Sequence, residues 1–153
     1  GPTWRRGDAR DLHATVAFLG PLDEARGACL AHALRGELRG LRPGRLRLGE
    51  LRGFPAEDLA KRVAYLAVDD ADGGAWWRDA EERVARACVE AGLPRPEAGT
   101  PHLTVARPRA ARAPLPGTSA PGWDFEVDAL HLACRAEGPR HGRYMSFARL
   151  PFG

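Results

Sequence analysis

The chain has 153 residues, of which 44% are hydrophobic and 28% are charged. These values are typical of one soluble globular domain and disfavour disordered, collagen-like and membrane proteins. The most apolar stretch, Leu12 to Leu19, is interrupted by His13 and Thr15 and is far too short to cross a bilayer. Because Gly1-Pro2 looks like a cleaved tag remnant and no signal peptide follows, we expect one domain over residues 3–153 and no membrane partner.

The charge is mildly basic, with 23 basic and 20 acidic residues and a net charge of +3. Lys61 is the sole lysine, so the basic residues are almost entirely arginine, the side chain best suited to bidentate phosphate recognition. This bias permits a nucleic-acid partner, although a high-GC genome also produces it. The three cysteines are odd in number and widely spaced, which predicts neither a disulfide framework nor a zinc site and favours the cytoplasm.

In chain order, the pattern first predicts a strand over Leu12–Leu19, ended by Gly20-Pro21, and then a helix from Pro21 to about Glu37. The apolar stripe of that helix is read as Ala25, Ala28, Cys29, Ala33 and Leu34. Two strands follow over Arg45–Leu51 and Arg62–Val68. A helix over Ala75–Ala91 has the clearest period and stops at Gly92.

In the last third of the chain, the sequence pattern predicts mostly strands. Thr100–Arg107 is a strand, and the proline-rich segment Pro108–Gly122 is a surface loop. Strands over Phe125–Cys134 and Arg143–Leu150 are joined by the loop Glu137–Gly142. This mixture of strands and helices, with consecutive strands at the end, predicts the α+β class.

One short motif occurs twice. Leu12-His13-Ala14-Thr15-Val16-Ala17-Phe18 returns as Pro101-His102-Leu103-Thr104-Val105-Ala106-Arg107, so both copies read His-x-Thr-Val-Ala. In a strand, residues two apart project from the same face, which places each imidazole beside a hydroxyl. Two imidazoles flanking a phosphate would supply a general base and a general acid, while the hydroxyls hold its oxygens.

The other three histidines lack such a context. His32 lies in an Ala/Leu-rich helix and is read as structural, and His131 alternates with two leucines and is read as solvated. His141 lies in an Arg/Gly loop, where a surface role is favoured. No third ligand lies near His13 or His102 in sequence, so we predict no metal site.

With these two motifs the chain resembles the two-histidine phosphoesterase superfamily, and within it the bacterial LigT-like RNA 2′,3′-cyclic phosphodiesterases, also called 2′-5′ RNA ligases. The resemblance runs from about Trp4 to the strand ending at Leu150. It implies a bilobal fold with pseudo-twofold related lobes around a central cleft. It also implies cofactor-free hydrolysis of RNA or nucleotide 2′,3′-cyclic phosphates to 2′-phosphates.

The resemblance also implies the residue roles. His13 would be the general acid and His102 the general base; Thr15, Thr104 and Arg107 would bind the phosphate. Phe18 would lie near the base or ribose. Arg107 is three residues from Thr104, so an ideal strand would point it away from the cleft unless a bend or bulge intervenes.

The chain departs from this family before His13. Trp4–Asp11 looks like the loop ahead of the first motif, so the usual N-terminal strand and helix are expected to be missing. Their absence would bare a sheet edge and favour dimerisation or strand exchange. Two alternatives remain: an RNA-end or nucleotide-binding module with weak or lost catalysis, and a phosphodiesterase acting on 2′-5′ oligonucleotides or ADP-ribose cyclic phosphate.

Overall fold

The computed structural model of the chain describes residues 3–118, 120–135 and 144–153. Gly1-Pro2, the predicted loop Glu137–Gly142 with His141, and Arg143 lie outside the described residues. In chain order, the elements are β1 (Trp4–Arg6), a short 3-10 helix (Ala9–Asp11), α1 (Glu24–Leu38), β2 (Gly44–Phe54), β3 (Val63–Asp70), α2 (Trp76–Glu90), β4 (His102–Pro108), β5 (Trp123–Val127), β6 (Ala129–Arg135) and β7 (Tyr144–Pro151).

The strands form two antiparallel sheets. Five strands pair in the order β1-β4-β3-β2-β5, and β6 pairs with β7 in a separate two-stranded sheet. The two helices pack against each other, α1 also packs on β7, and α2 also packs on β2 and β3. The fold is therefore α+β and bilobal, as the sequence and the resemblance implied, and each sheet has one helix packed on it.

The core is divided between these two lobes. One cluster lies among α1, α2 and the two-stranded sheet and contains Leu30, Leu38, Cys88 and Leu150, each at most 1% exposed. A second cluster, Leu46, Val68 and Trp77, lies between α2 and the five-stranded sheet. The face of the five-stranded sheet that packs on α2 is called here the helix face, and its opposite is the cleft face.

The sequence predicted both helices, but the prediction of which side chains of α1 are buried was partly wrong. Asp23 caps α1 by accepting a hydrogen bond from the Arg26 backbone amide, and α2 ends before Gly92, whose φ is +74°. The helix turns its leucines inward because they bury more apolar area than alanine or cysteine. Three side chains assigned to the apolar stripe, Ala25, Ala28 and Cys29, are therefore exposed, and His32, read as structural from the sequence, is exposed as well.

Two predicted strands and one predicted loop also require correction. The segment Leu12–Leu19 forms a single bridge, at Ala14, and no strand, because its apolar residues Val16, Ala17 and Leu19 pack on the core instead of pairing in a ladder. The predicted strand Phe125–Cys134 is two strands, β5 and β6, which break at Asp128 and enter different sheets. The segment taken as a loop before His13 contains β1 and the 3-10 helix.

Candidate functional site

The two His-x-Thr motifs lie side by side at their midpoints. Ala14 and Leu103, the central residues of the two motifs, form an isolated antiparallel bridge. If the same antiparallel register continues for one residue in each direction, His13 lies opposite Thr104 and Thr15 lies opposite His102. The two copies are thus related by a local twofold axis that passes between Ala14 and Leu103.

The central residues of the motifs also fix the direction of the flanking side chains. Ala14 and Leu103 both pack against the core cluster on the helix face. Because alternate residues of an extended chain point to opposite sides, the histidines and threonines project toward the cleft face. The sequence predicted this arrangement from the spacing within each motif.

Both imidazoles are held in the same way. His13 Nδ1 lies 2.6 Å from the carbonyl oxygen of Asp11, and His102 Nδ1 lies 2.6 Å from the carbonyl oxygen of Thr100. A carbonyl accepts only, so each Nδ1 carries a proton and donates it. Each Nε2 is then the ring atom left to exchange a proton with a bound molecule.

Aromatic rings pack around His102. Phe54 and Tyr65 stack with their centroids 4.4 Å apart, and each presents its ring at 5.3 Å from the imidazole of His102. Tyr65 is buried and His102 is half-buried. The ring of His102 is therefore confined on the side of the five-stranded sheet.

The other histidine has a different partner. The ring of Tyr144, the first residue of β7, lies 4.1 Å from the imidazole of exposed His13, and the guanidinium of Arg135 lies 5.5 Å from the centroid of Tyr144. Arg135 and Tyr144 pair across the two-stranded sheet. Each sheet thus supplies the aromatic contacts of one histidine.

The candidate phosphate ligands have free polar groups. Thr15 and Thr104 are half-buried, and their hydroxyls make no hydrogen bond to any other described residue. Each hydroxyl lies two residues from a histidine on the same side of the chain, so it is able to donate to a molecule held between the imidazoles.

A β-bulge decides the direction of Arg107. β3 and β4 pair Ala64 with Ala106 and Tyr65 with Thr104, so Val105 is the extra residue. Ala64 and Ala106 are buried on the helix face, and the bulge therefore returns Arg107 to the cleft face that carries Thr104. Phe18, in contrast, is 75% exposed and contacts neither histidine among the described ring pairs.

The comparisons with known proteins agree with this geometry. The family model of the 2′-5′ RNA ligase superfamily matches residues 5–139, which include both motifs. The chain belongs to the 2′-5′ RNA ligase superfamily. This superfamily membership covers β1 to β6 and both helices of the fold.

Solved structures share the fold of this superfamily member. The TT0787 protein of Thermus thermophilus superposes with a TM-score of 0.82 at 21% identity, covering 97% of this chain and 82% of that one. LigT of E. coli in complex with 3′-AMP superposes with a TM-score of 0.76 at 19% identity, covering 98% and 82%. A curated relative, cobyric acid synthase of Nocardia farcinica, is 36% identical over 110 residues. That alignment covers 71% of this chain, and the chain spans only 19% of the relative's length.

The structure adds residues to this candidate site that the sequence did not reveal. Asp11 and Thr100 each hold a histidine through the backbone carbonyl. Both lie two residues before their histidine, a correspondence that is visible in the sequence only when the two motifs are aligned. Phe54, Tyr65 and Tyr144 come from other strands, and no local pattern marks them. Among the described residues, no three metal-ligating side chains cluster, and neither helix is long and apolar enough to span a membrane.

Proposed function

We propose that the protein hydrolyses the 2′,3′-cyclic phosphate of an RNA end or nucleotide to a 2′-phosphate. One observation carries the proposal: the bridge between Ala14 and Leu103 sets two His-Thr pairs next to each other. Both Nδ1 atoms are fixed by hydrogen bonds, and neither Nε2 atom has a partner among the described residues. Such a pair of imidazoles suits a displacement at phosphorus, where one proton is removed and another is delivered.

The reaction uses one water molecule. His102 Nε2 takes a proton from water as its oxygen forms a bond to phosphorus. The bond from phosphorus to the ribose 3′ oxygen breaks, and the protonated Nε2 of His13 gives its proton to that oxygen. The products are a 2′-phosphomonoester and a free 3′ hydroxyl.

The remaining candidate residues bind the charge that moves during this step. The hydroxyls of Thr15 and Thr104 donate to the non-bridging phosphate oxygens, and Arg107 adds a positive charge on the same face. Phe18 is kept as a candidate contact to the base or ribose. The E. coli LigT structures hold 3′-AMP, NADP+ and ATP, which supports a nucleotide as the ligand of this chain as well.

Product analysis tests the proposal. The protein is incubated with adenosine 2′,3′-cyclic phosphate in the presence of EDTA, and the products are separated chromatographically. We expect 2′-AMP. Formation of 3′-AMP would exchange the roles of His13 and His102, because the 2′ oxygen would then be the leaving group.

Two further outcomes of the assay correspond to other functions. Binding without turnover, weakening steeply as salt rises, would indicate an RNA-end or nucleotide-binding module. Turnover of a 2′-5′-linked dinucleotide or of ADP-ribose cyclic phosphate, but not of the 2′,3′-cyclic nucleotide, would reassign the substrate.

A further inference from the structure

Two arginines oppose each other across β1 and β4. In the antiparallel register of these strands, Arg5 pairs directly with Arg107. Opposite residues of such a pair have Cα atoms roughly 4.5–5.5 Å apart, so the two side chains leave the sheet as neighbours. Like charges placed directly opposite each other destabilise a sheet.

Arg5 and Arg107 project from the cleft face. The bulge at Val105 puts Ala106 on the helix face and Arg107 on the cleft face, and β1 follows the same alternation. Trp4, the neighbour of Arg5, points the opposite way. Its Nε1 donates to the Pro114 carbonyl, and the next residue of that loop, Leu115, lies against Gly53 on the helix face. The pair therefore lies on the same face as Thr104.

Among the described residues, no carboxylate pairs with either of these arginines. The ion pairs seen between arginine and aspartate or glutamate in the described part of the chain all involve other arginines, not Arg5 or Arg107. Both are exposed, and neither guanidinium has a partner within the described part of the chain. Each guanidinium is able to donate to a phosphate in a bidentate way, so two adjacent, unpaired arginines suit two neighbouring phosphates.

We infer that Arg5 binds a second phosphate, the one on the 5′ side of the reacting nucleotide, while Arg107 beside it reaches the reacting phosphate. This inference rests on the proposed function. Because Val105 is the bulged residue, Arg107 lies two strand positions from Thr104, a distance of roughly 7 Å along β4. Arg5 lies on the neighbouring strand β1, about 5 Å from Arg107 across the sheet. Arg107 thus lies next to the reacting phosphate, and Arg5 is in position for the neighbouring phosphate of the same molecule.

The substrate consequence is a preference for length. A cyclic mononucleotide has one phosphate and leaves Arg5 without a ligand. A nucleotide with a 5′-phosphate, or an RNA end with a preceding phosphodiester, supplies the second anion. We therefore expect kcat/KM to be higher for both two-phosphate substrates than for adenosine 2′,3′-cyclic phosphate.

The test compares Arg5→Gln with Arg6→Gln on three substrates. These are adenosine 2′,3′-cyclic phosphate, its 5′-phosphorylated form, and a diadenosine dinucleotide that ends in a 2′,3′-cyclic phosphate. Arg6 is the matched control because it is an equally exposed neighbour that pairs with Ala106 on the helix face, so its loss changes the net charge equally.

The measured quantity is the ratio of kcat/KM for each two-phosphate substrate to that for the mononucleotide. Arg5→Gln should lower this ratio about tenfold, chiefly through KM, as expected for one lost charge-assisted contact. Arg6→Gln should leave it within about twofold of the wild-type value. A loss confined to the dinucleotide would identify an internal phosphodiester as the ligand, and a loss confined to the 5′-phosphorylated nucleotide would identify a terminal phosphate.

Equal ratios in wild type and Arg5→Gln would overturn the inference, and so would equal losses in both variants. If the wild type cleaves none of the three substrates, the proposed function fails, and the inference is tested separately by binding. The probes are then adenosine 3′-phosphate and its 5′-phosphorylated form. Arg5→Gln should weaken only the second, and equal weakening of both would contradict the second site.

Discussion

At the scale of residues, the site depends on how each imidazole is held. The backbone carbonyls of Asp11 and Thr100 fix the proton on Nδ1 of His13 and His102, so both rings present Nε2 toward the cleft. The rings are held laterally by side chains from different sheets. Fixed tautomer and fixed orientation are what proton transfer to and from a phosphate ester requires.

Tyr144 tests whether ring packing positions His13. Tyr144→Leu removes the ring that lies 4.1 Å from the imidazole, and we expect kcat for the cyclic nucleotide to fall about tenfold with little change in KM. Tyr144→Phe keeps the ring and should retain kcat within about twofold. A wild-type kcat in the leucine variant, at an unchanged Tm, would contradict this positioning role.

Some of the site was predictable at this scale and some was not. The repeat identified His13, His102, Thr15 and Thr104 as one constellation, because spacing within a motif determines which side chains share a face. The direction of Arg107 was not predictable, because it depends on a bulge that arises from the pairing of β3 with β4. The contacts of Tyr144 and Phe54 depend on strands distant in sequence, and single-residue patterns contain no such information.

At the scale of elements, close packing joins α2 to β2. Gly44 lies against the ring of Trp76, whose Nε1 donates to the Arg42 carbonyl at 2.8 Å and is thereby held in place. Gly44→Ala should therefore destabilise the protein by about 1–3 kcal/mol through overpacking. The measurement is the free energy of unfolding from denaturant titration.

Gly36→Ala is the matched control for this packing. Gly36 is exposed in α1 and a Cβ there would meet no atom within 4 Å, so alanine should stabilise the helix by about 0.5–1 kcal/mol. Equal effects of the two substitutions would contradict the close approach of Trp76 to β2.

An ion-pair cluster links β2 to β5. Arg47 Nε donates to Asp124 Oδ1 at 2.6 Å, and this hydrogen bond, together with the charges of Arg47 and Arg45, holds the pKa of the Asp124 carboxyl below its ordinary value of 3.8. Because the pKa is lower in the folded state, the stabilisation is present above the ordinary value and is lost as pH falls through the folded-state pKa.

Asp124→Asn should therefore lower Tm at pH 7, and its difference from wild type should shrink as the pH falls from about 5 toward 2. Asp128→Asn is the control, because Asp128 is 76% exposed and contacts a single arginine at 3.2 Å, so we expect a smaller change. A Tm difference for Asp124→Asn that is constant with pH would contradict the ion-pair explanation.

The predictability of the elements followed from what stabilises each one. Helix α2 was predicted nearly to its ends because its apolar period and Gly92 are local signals. The segment Leu12–Leu19 was predicted as a strand because its residues are apolar, but their role is to pack on the core, and only Ala14 pairs with β4. The break at Asp128 was missed because it arises where the chain passes from one sheet to the other.

At the scale of the whole molecule, the two lobes bring the two motifs together. The first motif lies along the same edge of β4 as β1, where the Gly7 amide donates to the Val105 carbonyl and Ala14 then pairs with Leu103. Between these two contacts the chain runs seven residues, from Gly7 to Ala14, whereas the paired positions on β4 are only two residues apart. The surplus of five residues forms a bulging loop that contains the 3-10 helix.

Dimerisation or strand exchange through a sheet edge stays a prediction, to be measured by sedimentation.

The central claim, that His13 and His102 act together on one phosphate, is tested most directly by the rate of adenosine 2′,3′-cyclic phosphate hydrolysis in EDTA. Wild type, His13→Ala and His102→Ala are compared at equal concentration, with folding checked by Tm. We predict that each substitution lowers kcat on the order of 10²-fold or more, with 2′-AMP as the wild-type product. Unchanged rates in both variants would contradict the account.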